Sequence, residues 1–235
     1  MLLVAGFVFA LVAPLVAIAA ISVSPYAPQP PRRLRWTVTF CVLTTLVAVF
    51  ASALLVNRTA AGAGDDVVAR AGDTWRVLPV LALFEELSRF VVLAGYALRR
   101  RFASTPRDGI MLGLAAGLTF ALIENIMTSA GPGAGSSASG WIRLGMATPL
   151  HALLGGLMGY LLVRAAEQPS GRVPAMVGAI LLPTAAHIAY DAPVIFAIVH
   201  WGAAITIESF LAATATSAAV EVALAWVVWR LFRRG

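Results

Sequence analysis

The sequence predicts an all-α, polytopic membrane protein of seven transmembrane helices, and three observations predict it. The chain is 60% hydrophobic, with a mean hydropathy of +0.87 and only 12% charged residues, about half the charge that a soluble domain spreads over its surface. Its apolar residues fall into seven runs, each roughly 20 residues and so about 30 Å long as a helix, enough to cross the hydrocarbon. Its arginines gather in alternate connections between those runs, as membrane topology requires.

The runs are 2–23, 36–56, 77–98, 109–129, 142–163, 173–197 and 206–229. The first contains Ala17-Ile18-Ala19, which resembles a signal-peptide cleavage site, but it lacks a basic leading region and exceeds an ordinary signal core, so it is expected to stay as a span. The second holds Cys41, the one cysteine, which has no intrachain partner and is read as packing. Glu85, Glu86 and Arg89 interrupt the third. The fourth and fifth carry GxxxG spacings, Gly113 with Gly117 and Gly155 with Gly159, which let helices approach closely and are read as packing. The sixth includes Asp191-Ala192-Pro193, where the proline is expected to end or kink the helix, leaving the stretch through His200 as a re-entrant segment. In the seventh, Glu208 is placed at the interface and Glu221 is read as a paired structural carboxylate. No repeat or soluble domain separates these runs, so residues 1–235 form a single transmembrane domain.

Arginine placement orients the runs. Arg32, Arg33 and Arg35 follow the first; Arg99, Arg100, Arg101 and Arg107 follow the third; Arg164 and Arg172 follow the fifth; Arg230, Arg233 and Arg234 close the chain. These mark the cytoplasmic side. The opposite connections hold only Arg58, Arg70, Arg76 and Arg143, the first three offset by Asp65, Asp66 and Asp73, together with a polar Gly/Ser segment at Gly131–Gly140. The N-terminus is therefore expected outside and the C-terminus in the cytoplasm.

The same placement excludes other classes. The net charge of +6 is spread over span ends rather than gathered on one face among aromatics, so no nucleic-acid partner is expected. The absence of lysine excludes a retinal Schiff base. Transport by a proton relay is disfavoured because no span before the sixth carries an internal Gly-Pro break.

An ionisable side chain inside the hydrocarbon costs about 2.5–3.5 kcal/mol on insertion scales, so each one needs a partner, a water pocket or a function. Those at issue are Glu85, Glu86 and Arg89 in the third run, Glu124 beside Asn125 in the fourth, His151 in the fifth, and His187 and Asp191 in the sixth. Counted from the outer face, Glu85 and His151 lie about 13 Å deep, His187 about 10–15 Å, and Glu124 and Asp191 about 5–8 Å. One polar pocket in the outer half of the bilayer would hold them all. Spacing within helices agrees: Arg89 can neutralise one of the adjacent carboxylates while the other, rotated by about 100°, looks elsewhere. Phe120 shares a face with Glu124, and Asp191 stands four residues from His187, able to orient its ring.

Several carboxylates in one low-dielectric pocket cannot all be charged, which makes an acid/base pair available. One carboxylate can take a proton from water as it attacks a carbonyl, while histidine donors stabilise the oxyanion and protonate the leaving amine. Ser88 is not demonstrably beside a histidine and is not read as a nucleophile. No cofactor is expected; zinc is the metal the same groups would take, since two histidines and a glutamate are a familiar catalytic set, although HExxH is absent. The other reading of these residues is interhelical hydrogen bonding that holds a bundle or larger complex together.

Three segments, Phe84-Glu85-Glu86-Leu87-Ser88-Arg89-Phe90, Phe120-Ala121-Leu122-Ile123-Glu124-Asn125 and His187-Ile188-Ala189-Tyr190-Asp191, resemble in order and helix placement the motifs of the PrsW glutamic intramembrane proteases. That family is similar to the CAAX prenyl endopeptidases and to the anterior-pharynx-defective subunit of gamma-secretase. The resemblance covers roughly residues 80–195. It departs where Arg89 replaces the usual lysine and Asp191 a second histidine; Glu124, where the prenyl endopeptidases have histidine, favours PrsW.

The resemblance implies a peptidase in which Glu85 or Glu86 activates water, Glu124 shares that role or positions the water, and His187 with His151 stabilises the oxyanion. Arg89, Asn125, Asp191 and Phe120 support them. It implies a multi-pass protein of the cell inner (plasma) membrane, surrounded by membrane lipid and acting on a single-span membrane-protein substrate near the outer face. The gamma-secretase subunit, a non-catalytic scaffold with histidines in the corresponding spans, carries the alternative function, and a CAAX-type metallo-endopeptidase is the other. Oligomeric state is left open.

Overall fold

Hydrocarbon offers no hydrogen bonds, so every backbone N–H and C=O of a spanning segment has to be satisfied internally, and apolar runs of this length become helices. The computed structural model describes residues 2–59, 67–98, 105–129, 146–168, 170–201 and 206–234. Among them the chain forms seven helices and no strand: α1 (Leu2–Val23), α2 (Arg32–Thr59), α3 (Val67–Leu98), α4 (Pro106–Ser129), α5 (Thr148–Glu167), α6 (Arg172–Trp201) and α7 (Ile207–Arg234). Five of them, α2 and α4 to α7, are long and apolar enough to cross a membrane. The apolar part of α1 is shorter, at Val8–Val23, and α3 is interrupted by Glu85, Glu86 and Arg89. Arg99, Arg100, Arg101, Asp65, Asp66, Arg143, the Gly131–Gly140 segment and residues 142–145 of the fifth run lie outside the described residues.

Local sequence explains the starts. Thr105 and Asp108 cap α4 reciprocally, each backbone N–H donating to the other's side-chain oxygen at 3.2 and 3.1 Å. Thr206 and Ser209 do the same for α7 at 3.0 and 3.2 Å, so two orphan donors are satisfied at each end. Between α5 and α6 the chain turns through Gly171 at φ 96°, a conformation that side-chain-bearing residues adopt only with strain.

The helix does not end at Pro193. α6 runs on through Pro183 and Pro193 to Trp201, so His200 belongs to a continuous helix and not to a re-entrant segment. Each proline removes one N–H, but a helix packed among other helices tolerates this. At 30 residues α6 is about 45 Å long, longer than the hydrocarbon is thick. Its last turn stacks Phe196 on His200, ring centroids 3.7 Å apart, and meets Trp75 of α3 at 6.1 Å, the amphipathic rings typical of a membrane interface.

Helix ends alternate. At one end of the bundle Arg107 donates to the Phe232 carbonyl at 3.3 Å and its guanidinium lies over the Phe232 and Tyr26 rings. The connection after α1, the start of α4 and the end of α7 therefore share a side, as the arginine pattern predicts for these three. Trp75 and Phe196 meet at the other.

α4 and α5 form the buried centre. Gly109, Gly113 and Gly117 of α4 face Gly159, Gly155 and His151 of α5 so closely that a Cβ at any of these glycines would collide with a backbone carbonyl across the interface. Only glycine allows that approach. The same contact sets His151, because Gly117 packs directly on its backbone.

Candidate active site

Four helices bring the polar residues together: α3 supplies Glu85, Glu86 and Arg89, α4 Phe120 and Glu124, α5 His151, and α6 His187 and Asp191. Their arrangement has a floor and a rim. Glu86 and Arg89 have no exposed side-chain surface, and His151 and His187 are buried beside them. Glu85, Glu124 and Asp191 keep 21, 23 and 33% of their side chains exposed, which sets these three carboxylates apart from the buried four.

The floor is a chain of charge-assisted contacts. One turn of α3 pairs Arg89 Nη2 with Glu86 Oε1. The same Glu86 oxygen lies 2.9 Å from His187 Nδ1. A carboxylate accepts, so that nitrogen carries a proton. Arg89 Nη1 donates to His151 Nδ1 at 3.0 Å. A guanidinium has no acceptor, so His151 carries its proton on Nε2, which lies 3.0 Å from Glu124 Oε2. Phe120 closes the space under the arginine, with the guanidinium 4.4 Å above its ring and His151 4.7 Å away. The two imidazoles meet edge to face at 5.2 Å.

The rim converges on His187. Its Nε2 lies 3.3 Å from Asp191 Oδ2 and 3.6 Å from Glu85 Oε2. Glu85 and Glu86, adjacent in sequence, thus approach opposite nitrogens of one ring. Arg89 neutralises the buried carboxylate and leaves the partly exposed one directed to the other side of the His187 ring, the division expected from their rotation about α3.

Asn125 stands apart from this network. Its side-chain N–H groups donate to the Ala10 carbonyl of α1 at 2.9 Å and to Thr148 Oγ1 of α5 at 3.2 Å, so it fixes the end of α4 next to Glu124. Thr148 was not among the sequence candidates; only its position three residues before His151 pointed to it. Ser217, which donates to the Tyr190 carbonyl at 2.6 Å and ties α7 to α6 beside Asp191, had no signal beyond being a hydroxyl in a span. Ser88 donates to the Glu85 carbonyl at 2.7 Å, a local helical contact that does not make it a nucleophile.

Residues 32–230 match the model of a family described as PrsW family intramembrane metalloprotease. The chain belongs to that family. No curated protein and no solved structure matches it. PrsW membership supports an intramembrane protease in a membrane-embedded helical bundle, and the family's description as a metalloprotease raises the question of whether these residues suit a metal.

The donor chemistry fits. Glu85, His151 and His187 each offer a ligand atom, all within 4.8 Å of one another, and two imidazoles with a carboxylate are the protein ligands of many catalytic zinc sites. Glu86 at Nδ1 of His187 supplies the outer carboxylate such a ligand generally has. His151 differs. Its Nδ1 faces a cation, and it would have to release Glu124 to offer Nε2.

Proposed function

We propose that this PrsW protein hydrolyses peptide bonds of single-span membrane proteins in the outer half of the cell inner membrane, with Glu85 activating water. The observation that carries this reading is the split between the adjacent glutamates: Glu86 is locked under Arg89, whereas Glu85 is partly exposed and 3.6 Å from His187 Nε2. The arginine pattern supports an outside N-terminus and a pocket opening toward the outer face.

Glu85 takes a proton from water as the oxygen attacks the scissile carbonyl carbon, then returns it to the leaving nitrogen as the C–N bond breaks. His187, held by Glu86 at Nδ1, turns Nε2 toward the oxyanion. His151 acts through Glu124: its Nε2–H fixes that carboxylate, which positions the attacking water opposite Glu85. Asp191 holds the His187 ring in place. Glu86, Arg89 and Phe120 are the support on which both histidines rest.

The second reading is metal-dependent hydrolysis, favoured by the convergence of Glu85, His151 and His187. A divalent metal held there would supply Lewis acidity toward a carbonyl oxygen and a bound water. In that case Glu124, freed from His151, is the carboxylate left to accept a proton.

Purified protein in liposomes, offered a library of single-span substrates, separates the readings. Loss of cleavage in Glu85→Gln, with wild-type cleavage indifferent to a chelator, supports glutamate-activated water. Loss to the chelator and recovery with zinc supports the metal. A folded wild type that cuts nothing in a broad library would leave the non-catalytic scaffold as the better account.

A further inference from the structure

α1 lies outside residues 32–230, the part of the chain matched to the family, yet it reaches the site. Ala10, Pro14, Ile18 and Ile21, spaced three and four residues apart, form its inner face. That face runs along α4: Ile18 and Ile21 pack with Met111, Ala115 and Leu118, and Ala10 meets Asn125 beside Glu124.

A proline makes the last of these contacts available. In an α-helix the carbonyl of Ala10 accepts from the N–H four residues on, but that residue is Pro14, inside the helix. It has no N–H, and its ring pushes the carbonyl four residues back out of line. A carbonyl freed in hydrocarbon has to find a donor on a neighbouring helix. Asn125 supplies one at 2.9 Å and donates to Thr148 Oγ1 at 3.2 Å, and all three residues are buried. A hydroxyl can accept or donate, whereas a carbonyl only accepts. Ala10 therefore decides which way the Asn125 amide faces, because the opposite orientation would set oxygen against oxygen.

We propose that Pro14 is a positioning residue of the active site. The carbonyl it frees holds Asn125, Asn125 ties the end of α4 to the start of α5 through Thr148, and that tie sets Glu124 against His151, 3.0 Å apart and one turn further along α5. The proposal rests on the reading in which Glu124 positions water opposite Glu85. It makes α1 a working part of the site and not only an anchor. It also has an unusual consequence: with an N–H at position 14 the Ala10 carbonyl is satisfied inside α1, so a change that repairs the helix loosens the site.

The test is magnetic resonance of the full-length protein in detergent, its histidine rings labelled with the heavy nitrogen isotope. The chain has three histidines, so His151→Gln and His200→Gln assign the ring signals. Pro14→Ala is expected to shift the His151 signal, leave that of His200 in place and keep or raise the thermal midpoint. In liposomes it is expected to lower turnover about tenfold at unchanged KM, the worth of one hydrogen bond. Asn125→Ala is expected to shift the His151 signal in the same direction, and the double variant no further than either change alone, since both act through one contact. Pro14→Ala combined with Ala13→Pro keeps a proline in α1 but frees the carbonyl of Phe9, on the exposed side of the helix, and is expected to match Pro14→Ala in ring signal and turnover. An unmoved His151 signal in Pro14→Ala, additive shifts in the double variant, or wild-type behaviour of the moved proline would each overturn the proposal. The ring signal needs no substrate, so a protein that cuts nothing would sink the peptidase reading while the link from Pro14 to His151 is still decided.

Discussion

Replacing Glu86 with glutamine removes the negative charge beneath both histidines and leaves the Arg89 guanidinium without its counter-ion in a place where neither side chain has any exposed surface. Breaking a buried ion pair by removing one partner costs about 3–5 kcal/mol, because the remaining charge stays desolvated. For a chain of this size that corresponds to a midpoint lower by about 10 °C, taking roughly 2–4 °C per kcal/mol. The protein carries its own reporter. Cys41 is the one cysteine and is fully buried in the cluster that packs α2 against Val92 and Leu93 of α3. A thiol-reactive dye, added to detergent-solubilised protein during a thermal ramp, lights up when that cluster opens. Glu86→Gln is expected to react about 10 °C earlier than wild type, and Glu85→Gln, whose side chain is partly exposed, close to it. Equal midpoints for the two variants would refute the division into a structural Glu86 and a reactive Glu85.

Glu85→Gln is expected to lower cleavage by about 10²–10⁴-fold, the usual worth of a general base, and Glu124→Gln by less, since the amide oxygen still accepts from His151; substrate cleavage in liposomes by variants of matched midpoint checks both. Gly117→Ala places a methyl group against the His151 carbonyl and is expected to cost about 1–3 kcal/mol with cleavage lost, whereas Gly178→Ala, where nothing lies within 4 Å, is expected to leave midpoint and cleavage unchanged. Asn125→Ala releases the Ala10 carbonyl and Thr148 and is expected to cost about 1–3 kcal/mol, read as a lower midpoint in the same dye assay.

The seven helices and the polar cluster between them were legible because the bilayer makes both conspicuous: long apolar runs become helices, and any charge inside one stands out against its cost. Spacing by three and four residues located the pairs within a helix, Glu86 with Arg89 and His187 with Asp191. Contacts between helices were not legible. Nothing in the order of residues tells that His151 bridges Arg89 and Glu124, or that Glu86 reaches across to His187, since both depend on how α3, α5 and α6 rotate against one another. The glycines of α4 and α5 were visible as spacings only, because GxxxG is common in alanine- and glycine-rich spans; their weight lies in a close approach that the sequence does not display. That α6 does not end at Pro193 has a related reason. Proline breaks an isolated helix, but neighbouring helices can carry the local defect.

Charge explains why the site has a rim as well as a floor. Glu85, Glu86, Glu124 and Asp191 against Arg89 and a His187 that donates from both ring nitrogens, with His151 neutral, give −4 + 2 = −2 formal charges. One guanidinium meets one carboxylate, and the pair lies deepest; the other three carboxylates are those with exposed side-chain surface. On the proposed mechanism, water that solvates these groups would also be the co-substrate of peptide hydrolysis, so the feature that makes the charges tolerable in hydrocarbon would deliver the nucleophile to Glu85. Removing one rim charge should then relieve the bundle while disturbing only the orientation of His187. Asp191→Asn retains an oxygen able to accept from Nε2. It is expected to keep or raise the thermal midpoint and to reduce cleavage less than Glu85→Gln does. A midpoint lowered as far as that of Glu86→Gln would place Asp191 in the floor and remove this account of how water enters.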